Sequence, residues 1–156
     1  MDIELTFRDL QPIDLDELAW TGSETHLEYV RDLLEPMWAG DVDLVVGELP
    51  SGQLIAFGGA NYRITPDAGE LWMLSVHPAW QSLGIGRQLI DALEAKGRER
   101  GLPRVQLSVE HDNPRAASLY RRLGYSEVGS GVEHWGIDGG KTYVTVVSKM
   151  SKDLAA

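Results

Sequence analysis

The chain has 156 residues, of which 43% are hydrophobic and 24% are charged, and this length and composition predict one globular domain spanning residues 1–156. The formal net charge of −10 disfavours nucleic-acid binding, because a protein that binds phosphates along a duplex needs a basic face. The chain has no cysteine, which excludes disulfides, thiolate metal sites and a cysteine nucleophile.

The beginning of the chain gives no sign of export or membrane insertion. Residues 1–4 lack the basic and apolar regions of a secretion signal, and no apolar run approaches the length of about eighteen residues that crosses a bilayer. We therefore expect a cytoplasmic protein without a membrane partner. Acidic residues are concentrated at this end of the chain, since residues 1–50 hold thirteen Asp and Glu against two Lys and Arg.

Hydrophobic spacing in the first half of the chain predicts strands and short helices. Alternating apolar residues predict a first strand over residues 3–7, and a helical turn is expected over residues 14–20. A helix capped by Ser23 or Thr25 is expected to stop at Pro36. The short turns between the next three strands favour an antiparallel meander. These strands are predicted at residues 43–48, 53–60 and 70–76.

The second half of the chain predicts a helix between two strands, then a second helix and a hairpin. The first helix begins near Ile85 and ends before Gly101, and a strand follows at residues 104–109. The second helix is capped by Asn113 and closed by Gly124. The closing strands are predicted at residues 125–132 and 142–148.

The order of these elements predicts the fold class. Two strands joined through a long helix pair in parallel, whereas the meander and the closing hairpin pair in antiparallel fashion. The sequence therefore predicts an α/β (α+β) fold with a mixed, mostly antiparallel sheet of about six to seven strands, a central parallel βαβ pair and about four flanking helices.

A glycine-containing turn lies between the strand at residues 70–76 and the helix that follows it. Its sequence is Gln81-Ser82-Leu83-Gly84-Ile85-Gly86. Unpaired N–H groups and the helix dipole at such a helix start bind anions. The turn is not a dinucleotide-binding fingerprint, because Leu89 occupies the position of the third glycine. A P-loop ending at Thr142 is excluded as well, because Trp135 stands where its first glycine is required.

A second motif lies in the next strand and helix. It consists of Leu107-Ser108-Val109 followed by Asn113-x-x-Ala116-x-x-Leu119-Tyr120-x-x-x-Gly124-Tyr125. Together with Gln81-x-x-Gly84-x-Gly86, His77-Pro78 upstream and Arg87-x-Leu89-Ile90 downstream, this motif resembles the GNAT superfamily of N-acetyltransferases. Ser82 departs from the glycine that is commonest in that family, which is a mild change in a loop that binds through its amides.

The resemblance implies acetyl-CoA as the acetyl donor and assigns residues to it. The backbone of Leu74, Ser75 and Val76 is expected to pair with the pantetheine arm and the acetyl carbonyl. Asn113 is expected to contact the cofactor as well. The pyrophosphate is expected to lie on Gln81, Ser82, Leu83, Gly84, Ile85, Gly86 and Arg87.

The resemblance also supplies a candidate acid and base. Tyr120 is predicted to donate a proton to the departing CoA thiolate. Glu70 begins the strand that leads to the glycine turn and is the candidate general base for the amine, with Glu110 and Glu133 as more distant candidates. Ser108 stands where some relatives that acetylate protein N-termini carry glutamate, which weakens that substrate assignment.

The predicted function is transfer of an acetyl group from acetyl-CoA to a primary amine, directly within a ternary complex. The acidic N-terminal region favours a cationic small molecule or peptide amine, and Trp72 and Trp135 are candidate walls of its pocket. The alternative is a non-catalytic acyl-CoA-binding or sensor domain. The four histidines lie in separate elements, so no metal site is predicted. Many members of the family dimerise, which leaves a homodimer open.

Overall fold

The computed structural model describes residues 3–154 of the chain, which form a seven-stranded sheet with helices on both faces. The strands are β1 (Thr6–Asp9), β2 (Val42–Glu48), β3 (Leu54–Thr65), β4 (Ala68–Val76), β5 (Arg104–Glu110), β6 (Ser126–Gly136) and β7 (Thr142–Asp153). The α-helices are α1 (Glu24–Asp32), α2 (Leu34–Trp38), α3 (Ile85–Glu99) and α4 (Pro114–Arg122). Short 3₁₀ turns lie at Pro12–Glu17, Ala19–Thr21 and Pro78–Trp80.

The strands follow the order β1-β2-β3-β4-β5-β7-β6 across the sheet. Every neighbouring pair is antiparallel except β4 and β5, which are parallel and are connected through α3. The prediction of a mixed, mostly antiparallel sheet with a central parallel βαβ pair is confirmed. Because β7 lies between β5 and β6, the closing hairpin extends the sheet next to the parallel pair.

Different helices cover the two faces of the sheet. Val105 and every second residue after it on β5 are buried in one core with α3 and α4, and we call this side the α3/α4 face. Leu44 and Phe57 point to the other side, where they share a core with α1 and α2, and we call it the α1/α2 face. Gln106 alternates with Val105 and therefore lies on the α1/α2 face.

β1 begins later than the alternation of apolar residues predicted. Ile3 and Leu5 pack against a buried cluster around Ile55, but pairing with β2 begins at Thr6. The alternation at residues 3–5 therefore reflects packing of a segment that lies outside the sheet.

The helix predicted to run from Ser23 to Pro36 is divided into two helices. Ser23 caps α1 by accepting a hydrogen bond from the N–H of His26, as predicted, but α1 ends at Asp32. Pro36 lies in the first turn of α2 instead of ending the pattern. Proline fits there because a first-turn N–H has no partner within the helix.

Candidate active site

β4 and β5 diverge toward their carboxyl ends. Their ladder ends where Leu71 lies opposite Leu107, whereas β4 continues to Val76 and β5 to Glu110. The later β4 backbone is thus not paired with β5, and its polar groups on that side can bind a ligand. Three residues predicted to bind the pantetheine arm lie in this stretch: Leu74, Ser75 and Val76.

A β-bulge in β4 lies beside this gap between the two strands. Between the pairs Phe57–Ser75 and Gly59–Trp72, β4 contains one more residue than β3. Met73, within the bulge, has φ of 58°, a backbone conformation that costs a residue with a side chain about 1–2 kcal/mol. The Ser75 hydroxyl donates a hydrogen bond of 3.1 Å to the Met73 carbonyl. The bulge thus changes the direction of β4 where it leaves β5.

The glycine turn forms the N-terminal cap of α3. Gly84 is the N-cap residue with φ of 81°, and Ser82 has φ of 66°. No side chain caps this helix of 15 residues, so its first N–H groups, beginning at Ile85, are available to an anion. A Cβ at Gly86 would lie 3.9 Å from Leu119, which places α4 across the turn.

A cleft of about 530 Å³ lies between the glycine turn and α4. It brings together eight of the residues predicted to bind acetyl-CoA: Val76, Gln81, Ser82, Gly84, Ile85, Gly86, Arg87 and Asn113. The Leu83 side chain is 51% exposed and does not line the cleft. Leu74 and Ser75 do not line it either, since they precede Val76 on β4 at the gap between the strands.

Two arginines of the cleft were missed in the sequence. Arg115 and Arg122 line it together with Leu119, and their spacing of four and three residues places all three on one side of α4. The Arg115 guanidinium donates a hydrogen bond of 2.6 Å to the Ser82 hydroxyl, which joins α4 to the glycine turn. The helical spacing was visible in the sequence, but nothing there indicated that this side of α4 meets the turn.

Tyr120 lies on α4 and packs against the α3/α4 core. Its ring centroid is 6.1 Å from that of Tyr125, in an edge-to-face arrangement, and its carbonyl accepts a hydrogen bond of 3.0 Å from the Tyr125 N–H. Burial raises the pKa of Tyr120. The phenol is therefore protonated at neutral pH and can act as a proton donor.

Glu70 lies on the opposite face of the sheet from Tyr120. It stands opposite Gln106 in the parallel ladder, and the Gln106 amide donates a hydrogen bond of 2.7 Å to its carboxylate. Burial raises the pKa of Glu70, and the Glu133 carboxylate contributes in the same direction, while the Gln106 hydrogen bond and the charge of Lys149 act against them. The structure does not bring Glu70 next to Tyr120, because the two side chains lie on opposite faces of the sheet.

Aromatic side chains lie beside β4 and at the closing hairpin. The Trp72 indole N–H lies 3.4 Å from the Tyr29 hydroxyl of α1, and the rings of Trp135 and Tyr143 are 4.9 Å apart at the closing hairpin. Interaction with the Glu110 carboxylate raises the pKa of Tyr143.

A hydrogen bond joins α1 to the closing hairpin, and two side-chain oxygens of β5 have no hydrogen-bond partner in the part of the chain that the structure describes. The Thr25 hydroxyl donates a hydrogen bond of 2.9 Å to Asp138, which ties the start of α1 to the hairpin. Within residues 3–154, the Ser108 hydroxyl and one Glu110 oxygen are buried without a hydrogen-bond partner. Both residues lie on β5 beyond Leu107, where its pairing with β4 has ended. Their unpaired oxygens can therefore accept hydrogen bonds from a polar ligand in the gap.

The model of the Acetyltransferase (GNAT) family matches residues 8–125. The chain belongs to the GNAT acetyltransferase family. A mycothiol acetyltransferase from Renibacterium salmoninarum is 28% identical to this GNAT chain over 142 residues, which cover 78% of the chain and 40% of that relative. A mycothiol acetyltransferase from Salinispora tropica is 35% identical over 111 residues, which cover 69% of the chain and 34% of that relative. The chain thus spans less than half the length of these curated relatives.

Solved GNAT structures share the fold over nearly the whole chain. Spermidine N-acetyltransferase from Vibrio cholerae, solved in complex with CoA and spermine, has a TM-score of 0.73 at 24% identity, with 96% of this chain and 95% of that chain covered. The ribosomal-protein-S18-alanine N-acetyltransferase from Escherichia coli has a TM-score of 0.76 at 20% identity, with 98% and 96% covered. At these identities the likeness establishes the fold, and it confirms the predicted GNAT architecture.

Within residues 3–154, no group of three or more His, Cys, Asp or Glu side chains is arranged to hold a metal ion. In the same part of the chain, no helix is both long and apolar enough to cross a membrane.

Proposed function

We propose that this GNAT chain transfers an acetyl group from acetyl-CoA to a primary amine. The observation that carries the proposal is the continuity between the cleft and the gap in the sheet, since Val76 both lines the cleft and ends β4. The α3 turn would bind the CoA diphosphate, and the unpaired backbone of residues 74–76 would bind the pantetheine arm. The exposed amides and the arginines of the cleft fit the negative charge of CoA.

In the proposed reaction, Glu70 and Tyr120 each transfer one proton. Acetyl-CoA, when bound, supplies a thioester carbonyl that an amine can attack. Glu70 accepts the proton that the amine loses as its nitrogen bonds to the acetyl carbon, directly or through one water molecule. Tyr120 gives its hydroxyl proton to the sulfur as the carbon–sulfur bond breaks. The products are an amide and a free thiol, and exchange with solvent restores Glu70 and Tyr120.

We further propose that the acceptor is cationic. Glu70 and Glu110 lie on β4 and β5 on the α1/α2 face, and the Glu133 carboxylate acts on Glu70 through its charge. Glu110 also interacts with Tyr143, whose ring lies 4.9 Å from that of Trp135. Carboxylates and aromatic rings both attract ammonium groups. The Vibrio cholerae relative named a spermidine N-acetyltransferase supports an amine of this chemistry. Cytoplasmic location, a homodimer, a single domain and the absence of a metal stay predictions from the sequence.

A thiol-release assay with acetyl-CoA tests the proposed function. Spermidine, a lysine-containing peptide, an uncharged aromatic amine and an acidic amino acid would be compared as acceptors. We expect rapid release of CoA thiol with spermidine and the lysine-containing peptide, slower but measurable release with the uncharged aromatic amine, and little release with the acidic amino acid. Release with none of these amines, combined with CoA binding in calorimetry, would support the alternative of a non-catalytic acyl-CoA-binding or sensor domain.

A further inference from the structure

The cofactor cleft contains three arginine side chains without acidic partners. Arg87, Arg115 and Arg122 line it, and no Asp or Glu of the described residues does. Within residues 3–154, none of the three forms an ion pair. The chain as a whole has a net charge of −10, so a cleft with three arginines that form no ion pair with the described residues differs in charge from the molecule as a whole. Such a cleft is suited to a ligand with several negative charges.

The two arginines of α4 lie at different distances from the glycine turn. Arg115 is in the first turn of α4 and donates a hydrogen bond of 2.6 Å to the Ser82 hydroxyl, within the turn itself. Arg122 is the last residue of α4, seven residues later on the same side of the helix, which is about 10 Å along its axis. The cleft therefore has one positive position at the turn and a second one away from it.

We propose that Arg122 binds the 3′-phosphate of CoA, while Arg115 belongs to the diphosphate site at the turn. This inference rests on the proposed use of acetyl-CoA. The adenosine part of CoA carries a diphosphate on one ribose oxygen and a phosphate monoester on another, so the two anionic groups lie apart. A guanidinium presents two parallel N–H donors to a phosphate, which makes arginine the better residue for such a group.

Calorimetric titration with CoA and with dephospho-CoA, which lacks only the 3′-phosphate, tests the assignment. The wild-type chain is expected to bind CoA about tenfold more tightly than dephospho-CoA. Arg122→Gln should remove this preference by weakening CoA binding about tenfold and leaving dephospho-CoA binding unchanged. Arg115→Gln should weaken the binding of both compounds to a similar degree.

A matched control lies next to Arg122 on the same helix. The Arg121 guanidinium pairs with Glu127 at 3.2 Å and does not line the cleft, so Arg121→Gln should bind both compounds as the wild-type chain does. Arg122 is exposed at the helix end, and its replacement is expected to leave the thermal unfolding midpoint unchanged.

Three results would overturn the assignment: no CoA preference in the wild-type chain, equal weakening of both compounds by Arg122→Gln, or no effect of Arg122→Gln on either. A wild-type chain that binds neither compound would instead refute the proposed function. The preference for CoA should also shrink as NaCl is added, because salt screens the contact between exposed charges.

Discussion

Burial raises the pKa of Tyr120 and the pKa of Glu70, and the same shift suits each side chain to a different proposed role. It raises the pKa of Tyr120, which keeps the phenol protonated and able to donate. It also raises the pKa of Glu70, which makes the carboxylate a stronger base once it has lost its proton. One physical cause thus favours both the proposed acid on the α3/α4 face and the proposed base on the α1/α2 face.

Replacing Tyr120 with Phe removes the proposed acid while keeping the ring that packs on Tyr125. We expect turnover to fall about a hundredfold, because a positioned general acid contributes roughly that factor or more. CoA affinity in calorimetry should be nearly unchanged, since the hydroxyl takes no part in the diphosphate site. Unchanged turnover would remove Tyr120 as the acid.

The pH dependence of the reaction tests Glu70. A base works in its ionised form, so kcat/KM should decline as pH falls through the raised pKa of Glu70, which lies above the ordinary value of 4.5. Glu70→Gln should lower kcat/KM about a hundredfold and remove this decline.

Stability measurements separate catalysis from folding in the Glu70→Gln variant. Because the pKa of Glu70 is raised in the folded chain, the unfolded chain loses this proton at lower pH, and ionised Glu70 opposes folding at neutral pH. The Gln variant should therefore unfold at the same temperature as the wild-type chain at pH 7, or at a higher one. A variant of normal stability that kept the full decline of kcat/KM would assign the base to another group.

At the scale of the elements, β3 packs closely against β4 beside the bulge. A Cβ at Gly59 would lie 2.8 Å from the Trp72 ring, 2.9 Å from Leu44 and 3.0 Å from the Asp43 carbonyl. We expect Gly59→Ala to lower the free energy of unfolding by about 2 kcal/mol, as measured by urea denaturation. Gly129→Ala on β6 is the control, since nothing lies within 4 Å of its Cβ, and it should change that free energy by less than about 0.5 kcal/mol. Equal effects of both replacements would contradict this account of the bulge.

Local signals in the sequence were sufficient for most elements and for the glycine turn. Asn113 caps α4 through a hydrogen bond from the Ala116 N–H, and Gly84 adopts the left-handed conformation at the start of α3. Such signals depend on a few neighbouring residues, so a single sequence displays them.

The features that the sequence did not reveal depend on contacts between distant segments. Arg122 reaches the cleft because α4 packs beside α3, and the Gln106 hydrogen bond to Glu70 exists because β4 and β5 pair in one particular register. Met73 carries no local sign of a left-handed conformation, since the surrounding sheet imposes it. The starting point of β1 was wrong for the same reason, because its apolar residues pack outside the sheet.

At the scale of the whole molecule, acidic and basic side chains are concentrated in different parts of the protein. Residues 1–50 hold thirteen acidic side chains and two basic ones, whereas the cleft between the glycine turn and α4 is lined, among the described residues, by three arginines and by no Asp or Glu. We expect KM for spermidine to rise several-fold between about 50 and 500 mM NaCl, with kcat unchanged, because salt screens the attraction of a cation to an acidic surface. An aromatic amine that is uncharged at neutral pH is the control and should show little change. A KM for spermidine that does not respond to salt would contradict the cationic acceptor.

The divergence of β4 from β5 also determines how this site can be blocked. In the proposed reaction, acetyl-CoA and the amine would reach the gap from opposite faces of one sheet, so a compound that joins CoA to an amine by a covalent bridge would pass through the gap. Because β4 and β5 do not pair again within the described chain beyond Leu71 and Leu107, the gap is open at the carboxyl ends of these strands, and such a compound could enter and leave through that open end. Its CoA end and its amine end would lie on different faces of the sheet, so the two ends could be varied independently.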